Sequence, residues 1–308
     1  MATWRRVLRW WFSRRERGLW PEWVYTRPFQ HKGLQKGRNF QLSWINHSTF
    51  LIETPLGNIL TDPIYSRRAG PFKVFGPKRV HAPGIPFDAL PQIDYVLLSH
   101  DHYDHCDMNT LRQLARRDSP QGITPLANGH LLRSAGFRKI IELDVWERTP
   151  LNKANAHGVP PPVASVTLTP AQHWSSRVCG CRCGRLWGGF WLEIAERRMY
   201  FTGDTGYNEA MFLEIRKRLG APDLAMIPIG AYEPRWFMSP QHCAPDEAVC
   251  IHRELESKLS VAMHWGCFRL TDEARDAPPR ELAEALEQAG LSQKEFRILE
   301  PGETLPLW

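Results

Sequence analysis

The chain has 308 residues, 43% of them hydrophobic and 23% charged, which is the composition of a folded globular protein rather than of a disordered or fibrous one. Its net charge is +6, but residues 1–40 contain ten Lys and Arg against Glu16 and Glu22, so that segment carries +8 and the remainder −2. A nucleic-acid-binding body would need clustered positive charge, and we therefore expect no nucleic-acid partner.

The first 40 residues are predicted to form a basic, tryptophan-rich arm. Apolar side chains fall on one helical face, at Trp4, Val7, Leu8, Trp11 and Phe12. Arginines flank this face, a composition typical of a helix lying in the interface of an anionic membrane. Packing of the arm on the body or on a second subunit fits the same pattern, so membrane contact through residues 4–17 is one of two interpretations.

Neither a membrane span nor a secretory signal is expected. No run approaches the roughly 18 apolar residues of a spanning helix, and Arg14 and Arg15 interrupt the N-terminal apolar stretch. The seven cysteines are odd in number and include no CxxC pair, which fits a reducing compartment. The prediction is a cytoplasmic protein, at the inner membrane face if the arm binds lipid.

From residue 41 onward, strands give way to repeated strand–helix units. The predicted strands are 41–53, 58–62, 93–99, 165–169, 198–202, 224–229 and 261–263. The predicted helices are 109–117, 209–219, 246–255 and 280–288. This alternation favours an α/β sandwich, with residues 41–308 as one domain and no visible internal repeat.

The strongest chemical signal is the segment His100-Asp-His-Tyr-Asp-His105, directly after the predicted strand 93–99. Alternate residues of an extended loop point the same way, so His100 and His102 can grip one ion. Asp104 and His105 lie past the turn and can face a second ion. Imidazole suits Zn²⁺, and a carboxylate leaves a position open for water. With His at 12 of 308 positions, chance placement of this pattern is rare.

Two ions need further ligands, and three later predicted strands are each followed by one. These residues are His173, Asp204 and His264. Taken singly, each is more often structural than catalytic. Because residues at successive strand ends meet at one edge of a sheet, we expect the three to share one site with residues 100–105.

Together these seven positions resemble the ligand pattern of the metallo-β-lactamase superfamily. The resemblance implies a four-layer αββα sandwich with a dinuclear zinc centre. It further implies one ion held by His100, His102 and His173, and a second held by Asp104, His105 and His264, with Asp204 bridging both. Members that act on β-lactams commonly have cysteine in place of Asp204, so the aspartate points to phosphodiester or ester hydrolysis.

Longer segments resemble a narrower family, the N-acyl-phosphatidylethanolamine-hydrolysing phospholipase D and its bacterial relatives. They include Leu60-Thr-Asp-Pro63, Gly76-Pro-Lys-Arg79, Pro170-Ala-Gln-His-Trp174, Thr202-Gly-Asp-Thr-Gly-Tyr207 and Ile227-Pro-Ile-Gly-Ala-Tyr-Glu-Pro-Arg-Trp-Phe-Met238. The resemblance covers about residues 41–300. It implies attack of a metal-bound hydroxide on a phospholipid, releasing N-acylethanolamine and phosphatidic acid, and suggests a homodimer.

The same resemblance assigns roles to residues around the ions. Asp104, Asp204 and His242 form the catalytic set, and Tyr103, Gln241 and His242 the substrate-binding set. His242 either binds or protonates the phosphate or is a core histidine, and Tyr103 either lines the site or packs on the loop. Asp62 is expected to orient a histidine ligand from behind.

Four points stay open. The substrate class can differ, as in a lactonase or a phosphodiesterase for small soluble diesters, because the site rather than the fold decides the substrate. A metal-bearing binding or regulatory protein with little catalysis would share the ligand set, and the ions can be zinc, manganese or iron. The segment Cys179-Gly-Cys-Arg-Cys-Gly184 departs from the family and is either a tight reduced loop or a soft-metal or redox site.

Overall fold

A computed structural model describes Trp10, Gly33 and residues 18–26, 40–71, 74–151, 163–177 and 183–308. The predicted membrane-facing residues Trp4, Val7, Leu8, Trp11 and Phe12 lie outside the described residues. Two of the three loop cysteines, Cys179 and Cys181, also lie outside them.

Two seven-stranded sheets make up the body. The strands of the first sheet are β1 Gln41–Asn46, β2 Thr49–Thr54, β3 Gly57–Thr61, β4 Tyr95–Leu97, β5 Gln121–Pro125, β6 Lys139–Leu143 and β14 Thr304–Pro306. Those of the second are β7 Arg148–Pro150, β8 Ala164–Thr169, β9 Gly189–Ile194, β10 Arg197–Phe201, β11 Leu224–Pro228, β12 Ser260–Met263 and β13 Phe296–Arg297. The orders are β14-β1-β2-β3-β4-β5-β6 and β13-β12-β11-β10-β9-β8-β7.

Helices cover the outer face of each sheet. They are α1 Met108–Arg117, α2 Gly129–Ala135, α3 Glu209–Leu219, α4 Arg235–Met238, α5 Pro245–Glu254 and α6 Ala277–Gln288. Side chains satisfy N–H groups at three helix starts: Asp107 accepts from Asn109 at α1, Asn208 from Met211 at α3, and Glu247 from Ala244 at α5. In the described part of the chain no helix is long and apolar enough to cross a bilayer.

The core alternates along the strands as a doubly covered sheet requires. In β2, Phe50 and Ile52 belong to the large cluster between the sheets, whereas Leu51 joins Leu111 and Leu114 of α1 in a cluster on the outer face. The side-chain period of two therefore buries both faces of the same strand. The predicted four-layer αββα sandwich is confirmed.

Both sheets are built in the same way, although the sequence shows no repeat. In each, an antiparallel meander leads into strands that pair in parallel, β3 to β6 in the first sheet and β10 to β13 in the second. The carboxyl ends of parallel strands meet at one edge, which is where this architecture places its polar side chains.

One predicted element is wrong. Residues 41–53 are not a single strand but the hairpin of β1 and β2, which turns at His47, where φ is 46°. Apolar residues alternate on both sides of the turn, so periodicity alone does not reveal it. The other predicted helices and strands are confirmed with shifts at their ends, and the structure adds elements that were not predicted, among them β5, β6, β9 and α2.

The described part of the arm packs on the body. The indole N–H of Trp10 donates to the Asp272 carboxylate at 2.7 Å, and its ring stacks on Phe237 with centroids 5.3 Å apart. The Trp20 indole donates to the Glu273 carbonyl at 2.8 Å. Trp10 does not belong to the predicted apolar face, so this packing leaves the interpretation of that face unchanged.

Core packing gives a direct prediction of stability. Phe50 is fully buried between the sheets, so Phe50→Ala should lower the free energy of unfolding by about 3–5 kcal/mol through lost burial and a cavity. Leu213→Ala on α3 is the control, because Leu213 is 47% exposed and its loss should cost under about 1 kcal/mol. Denaturant unfolding measures both changes, and equal losses would contradict this account of the core.

Candidate metal centre

The loop after β4 brings two histidines together with a third from the other sheet. His100 Nε2 lies 2.9 Å from His102 Nδ1, and His173 Nε2 lies 3.2 Å from the same atom. Four ligands placed tetrahedrally around zinc, with bonds of about 2.0–2.1 Å, stand about 3.3–3.4 Å apart. The three ring nitrogens therefore converge at nearly the spacing of ligands to one zinc ion.

A second group forms beside the first. Asp104 Oδ2 lies 3.4 Å from His105 Nε2 and 3.4 Å from His264 Nε2, again the spacing of ligands around one ion. His105 and His264 are fully buried side chains, and they reach this point from opposite sheets. The sequence-based division into two groups of three thus matches the geometry.

Asp204 stands between the groups. Its Oδ2 lies 3.1 Å from His105 Nε2 and 3.0 Å from His264 Nε2. The same oxygen lies 4.0 Å from His100 Nε2 and 3.8 Å from His173 Nε2. One carboxylate oxygen therefore faces imidazoles of both groups, which is the position that a bridging ligand requires.

Buried polar atoms at the centre lack other partners. Within the described residues no hydrogen bond of acceptable geometry reaches His105 Nε2, His264 Nε2 or Asp204 Oδ1, although all three atoms are buried. Buried polar atoms are normally paired, because leaving one unpaired costs about 1–3 kcal/mol. Divalent ions would pair these atoms, so the residues present fit a dinuclear centre.

Burial and charge set opposite proton affinities in the two groups. Burial lowers the pKa of His102 to about 4 and that of His173 to about 3, which keeps these rings neutral and able to bind a cation. Burial also opposes charge on His264, but the Asp204 and Asp104 carboxylates outweigh it and raise the pKa of His264 to about 9. The same balance raises the pKa of His105 well above its usual value.

Asp62 supports the second group from behind. It follows β3 and is fully buried; its carboxylate accepts from the Ser99 N–H at 2.7 Å and lies 2.7 Å from His105 Nδ1. Holding Nδ1 turns Nε2 of the same ring toward the centre. The structure thus places Asp62 where its predicted role requires it.

The segment after α4 contributes through its backbone as well as its side chains. The Gln241 carbonyl lies 2.9 Å from His173 Nδ1, while the Gln241 side chain turns back to the sulfur of Met238. His242 is buried, and its Nδ1 lies 4.0 Å from Asp204 Oδ2 with no hydrogen-bond partner among the described residues. His242 therefore faces the centre, whereas the contact that Gln241 makes with it is a carbonyl.

Tyr103 lies at a cavity beside the metal loop. Its ring is 4.2 Å from the Arg177 guanidinium, and both residues line a space of about 470 Å³ together with Arg68 and Arg112. Tyr103 thus lines a cavity beside the metal loop and also packs on Arg177. Of the cysteine loop, the structure describes Cys183, whose N–H donates to the Ser175 carbonyl at 2.8 Å.

Two residues at the centre received no role from the sequence. His47 Nε2 lies 2.9 Å from Asp104 Oδ2, and His47 forms a ligand-type group with Asp104, His105 and His264. Asp101 is fully buried and accepts from Arg185 at 2.7 Å, which ties the loop after His173 to the metal loop. The sequence feature that could have revealed His47 is the polar turn at residues 46–48, which lies within the predicted single strand 41–53.

Comparison with known proteins identifies the family. A family model described as the beta-lactamase superfamily domain matches residues 57–265, more than half of the chain. The chain belongs to the metallo-β-lactamase superfamily. The predicted superfamily and its fold are confirmed.

Curated relatives narrow the resemblance. The chain is 33% identical, over 85% of its length, to N-acyl-phosphatidylethanolamine-hydrolyzing phospholipase D 1 of Caenorhabditis elegans, and it covers 74% of that protein. It is also 33% identical, over 77% of its length, to the mitochondrial N-acyl-phosphatidylethanolamine-hydrolyzing phospholipase D of Saccharomyces cerevisiae, of which it covers 49%. The chain is thus related to phospholipases of this type while spanning only part of them.

Solved structures share the fold. A possible metal-dependent hydrolase from Veillonella parvula superposes with a TM-score of 0.65 at 16% identity, covering 88% of this chain and all of that one. The metallo hydrolase Igni18 from Ignicoccus hospitalis gives a TM-score of 0.59 at 23% identity, covering 87% and 98%. At these identities the likeness shows the architecture alone.

The two groups should differ in proton release when zinc binds. At pH 7 the neutral rings of His102 and His173 have no proton to lose, whereas His105 and His264, with raised pKa values, each give one up. Calorimetric titration in buffers of different ionisation enthalpy measures this release. The affinity of the second group should increase as pH rises toward about 9, the pKa of His264. Equal proton release at both sites would contradict the assignment.

Proposed function

We propose that this protein is a dinuclear zinc phosphodiesterase of the phospholipase D type, acting on N-acyl-phosphatidylethanolamine-like phospholipids. The products would be N-acylethanolamine and phosphatidic acid. The observation that carries the proposal is the Asp204 carboxylate between two imidazole groups, because one carboxylate facing both can join two divalent ions, the arrangement used by many phosphate-ester hydrolases. The names of the worm and yeast relatives support the lipid substrate.

The chain's own residues supply the positioning. His100, His102 and His173 would hold one ion, and Asp104, His105 and His264 the other, with Asp204 shared. Two bound divalent ions would lower the pKa of a water molecule and neutralise charge on the phosphate. Asp62 and the Gln241 carbonyl fix the rings of His105 and His173, so that the ligands are already oriented before substrate arrives.

His242 is suited to binding the phosphate rather than to protonating it. Burial, the largest effect, holds the pKa of His242 well below its usual value, so its ring is neutral at pH 7. A neutral imidazole has one N–H to donate and carries no surplus proton for a leaving group. Its Nδ1 lies 4.0 Å from Asp204 Oδ2, which supports a role in donating to a phosphate bound at the two ions.

The cavity beside the loop fits an anionic substrate. Arg68, Arg112 and Arg177 all line it. The one carboxylate there, Asp107, is occupied by hydrogen bonds to the Ser66 and Thr110 hydroxyls. The cavity therefore presents positive charge next to Tyr103, as a phosphodiester requires.

Asp204→Asn tests the proposal. The substitution keeps the shape and removes the charge that faces both groups, so turnover should fall by at least about 10²-fold. Release of N-acylethanolamine from mixed micelles and cleavage of bis-p-nitrophenyl phosphate are measured in parallel. Asp223→Asn is the control, a buried aspartate bonded to Lys258 away from the centre, and it should leave turnover within a few-fold of the parent.

The outcomes of this experiment separate the alternatives. If the parent cleaves only the soluble diester, the dinuclear centre is supported and the lipid substrate is rejected. Turnover of neither substrate by the zinc-loaded parent would favour a metal-bearing binding protein. Equal losses in the two variants would contradict the role of Asp204.

We also propose that the surface formed by the N-terminal arm and the residues beside it binds an anionic membrane. The described residues there include Leu19, 87% exposed, and Tyr25, 92% exposed. The Val24 N–H donates to the Val80 carbonyl, which holds this segment near the loop of exposed Phe75. Apolar side chains beside arginines are the composition of an interfacial contact, and residues 4–17 would extend it at the inner membrane face. Dimerisation stays a prediction.

Vesicle binding tests this surface. The double substitution Leu19→Ser and Tyr25→Ser should weaken binding to vesicles of phosphatidylethanolamine and phosphatidylglycerol by about tenfold or more, since two exposed apolar side chains that would insert into the bilayer are lost. Leu213→Ser on the remote helix α3 is the control and should bind as the parent does. Unchanged sedimentation of the double variant with vesicles would contradict the proposal.

A further inference from the structure

His47 lies outside the superfamily ligand pattern yet reaches the centre. It occupies the turn between β1 and β2, where its φ of 46° is a left-handed conformation in which asparagine, aspartate and histidine are enriched among non-glycine residues. Its side chain is almost fully buried. A polar ring buried at a turn needs a hydrogen-bond partner, and this directs attention to what the ring contacts.

The side chain contacts the second ligand group. His47 Nε2 lies 2.9 Å from Asp104 Oδ2, and the ring lies 4.0 Å from the His264 ring and edge-on to Phe268. Apart from the imidazoles of His105 and His264, the partner that the described residues give the Asp104 carboxylate is His47. Among the described residues, His47 is thus the partner of the Asp104 carboxylate that is not itself a predicted metal ligand.

The backbone of the same residue holds a second ligand. The His47 carbonyl accepts from the His264 N–H at 3.0 Å and from the Trp44 indole at 2.9 Å. His264 itself has a φ of 61°. One turn residue therefore fixes Asp104 through its side chain and His264 through its backbone, although these ligands come from different sheets.

The geometry favours a hydrogen bond to Asp104 over direct coordination by His47. A separation of 2.9 Å lets His47 Nε2–H bond directly to the Asp104 carboxylate. Asp104, His105, His264 and the shared Asp204 already offer four protein ligands to the second ion, so a fifth from His47 would take the position that the water of the proposed function needs.

We propose that His47 is the positioning residue of the second ion site. Its Nε2–H donates to Asp104 and fixes the orientation of that carboxylate, while its carbonyl fixes the backbone of His264. The inference rests on the dinuclear centre of the proposed function but not on the lipid substrate. The turn between β1 and β2 would thus orient two ligands of the second ion site before the metal binds.

Zinc affinity tests the proposal without reference to turnover. Chelator competition with zinc alone should resolve two affinities in the parent. In His47→Ala the affinity of the second site should fall about 10–100-fold, the usual effect of losing an outer hydrogen bond to a ligand, with the first site unchanged. His47→Gln places an amide N–H where Nε2 stood and should restore most of the affinity. His252→Ala is the control, a buried histidine that bonds Ser260 away from the centre.

Each outcome decides something. If His47→Ala leaves the affinity of the second site unchanged, or if His252→Ala loses as much, the proposed role of His47 is wrong. The proposed function would not be affected by either result. A loss in His47→Gln as large as that in His47→Ala would overturn it in favour of direct coordination, and a changed visible spectrum of the cobalt-loaded variant would agree. A parent that binds fewer than two zinc ions would overturn the proposed function as well. Melting of the metal-free variants checks that each one folds.

Discussion

The carboxylate of Asp204 is the interaction on which the rest of the site depends. It is buried, and one of its oxygens lies 3.0–4.0 Å from imidazoles of His100, His105, His173 and His264. A buried carboxylate is costly unless positive charge compensates it. In the metal-free protein that charge is a proton on His105 and His264, and in the loaded protein it would be two ions. Folding and metal binding are therefore linked through the same few atoms.

The two sheets make this arrangement possible. Each ends its strands at the same edge of the sandwich, so a carboxylate after β10 and a histidine after β12 meet the loop after β4. Hydrogen bonds between the two sheets' loops then fix these strand ends relative to each other. Among them are the His264 N–H to the His47 carbonyl and Arg185 to the Asp101 carboxylate. Because the ligands come from both halves, neither sheet alone holds a complete site.

The sequence predicts the parts of the site that are local. Four metal-ligand residue types within residues 100–105 predict the metal loop. Because the ends of successive strands converge, His173, Asp204 and His264 are predicted to join it. The resemblance to a family supplied the division into two groups, which the distances match. Asp62 was expected to orient a histidine ligand, and its carboxylate lies 2.7 Å from His105 Nδ1.

The parts that were missed depend on contacts distant along the chain. His47 lies in a turn that alternation conceals, and its partners Asp104 and His264 are far from it in sequence. The contact of the Gln241 backbone carbonyl with His173 Nδ1 was not predicted either, and every residue has such a carbonyl. No local pattern distinguishes such a residue, since its effect comes from where the backbone passes.

The most direct test of this account is anomalous scattering at the zinc absorption edge from crystals of the zinc-loaded protein. Two peaks are expected, one among His100, His102 and His173 and one among Asp104, His105 and His264, with the Asp204 carboxylate in contact with both. A single peak, or two peaks of which one lies away from Asp204, would contradict the central claim that one buried carboxylate joins two ion sites.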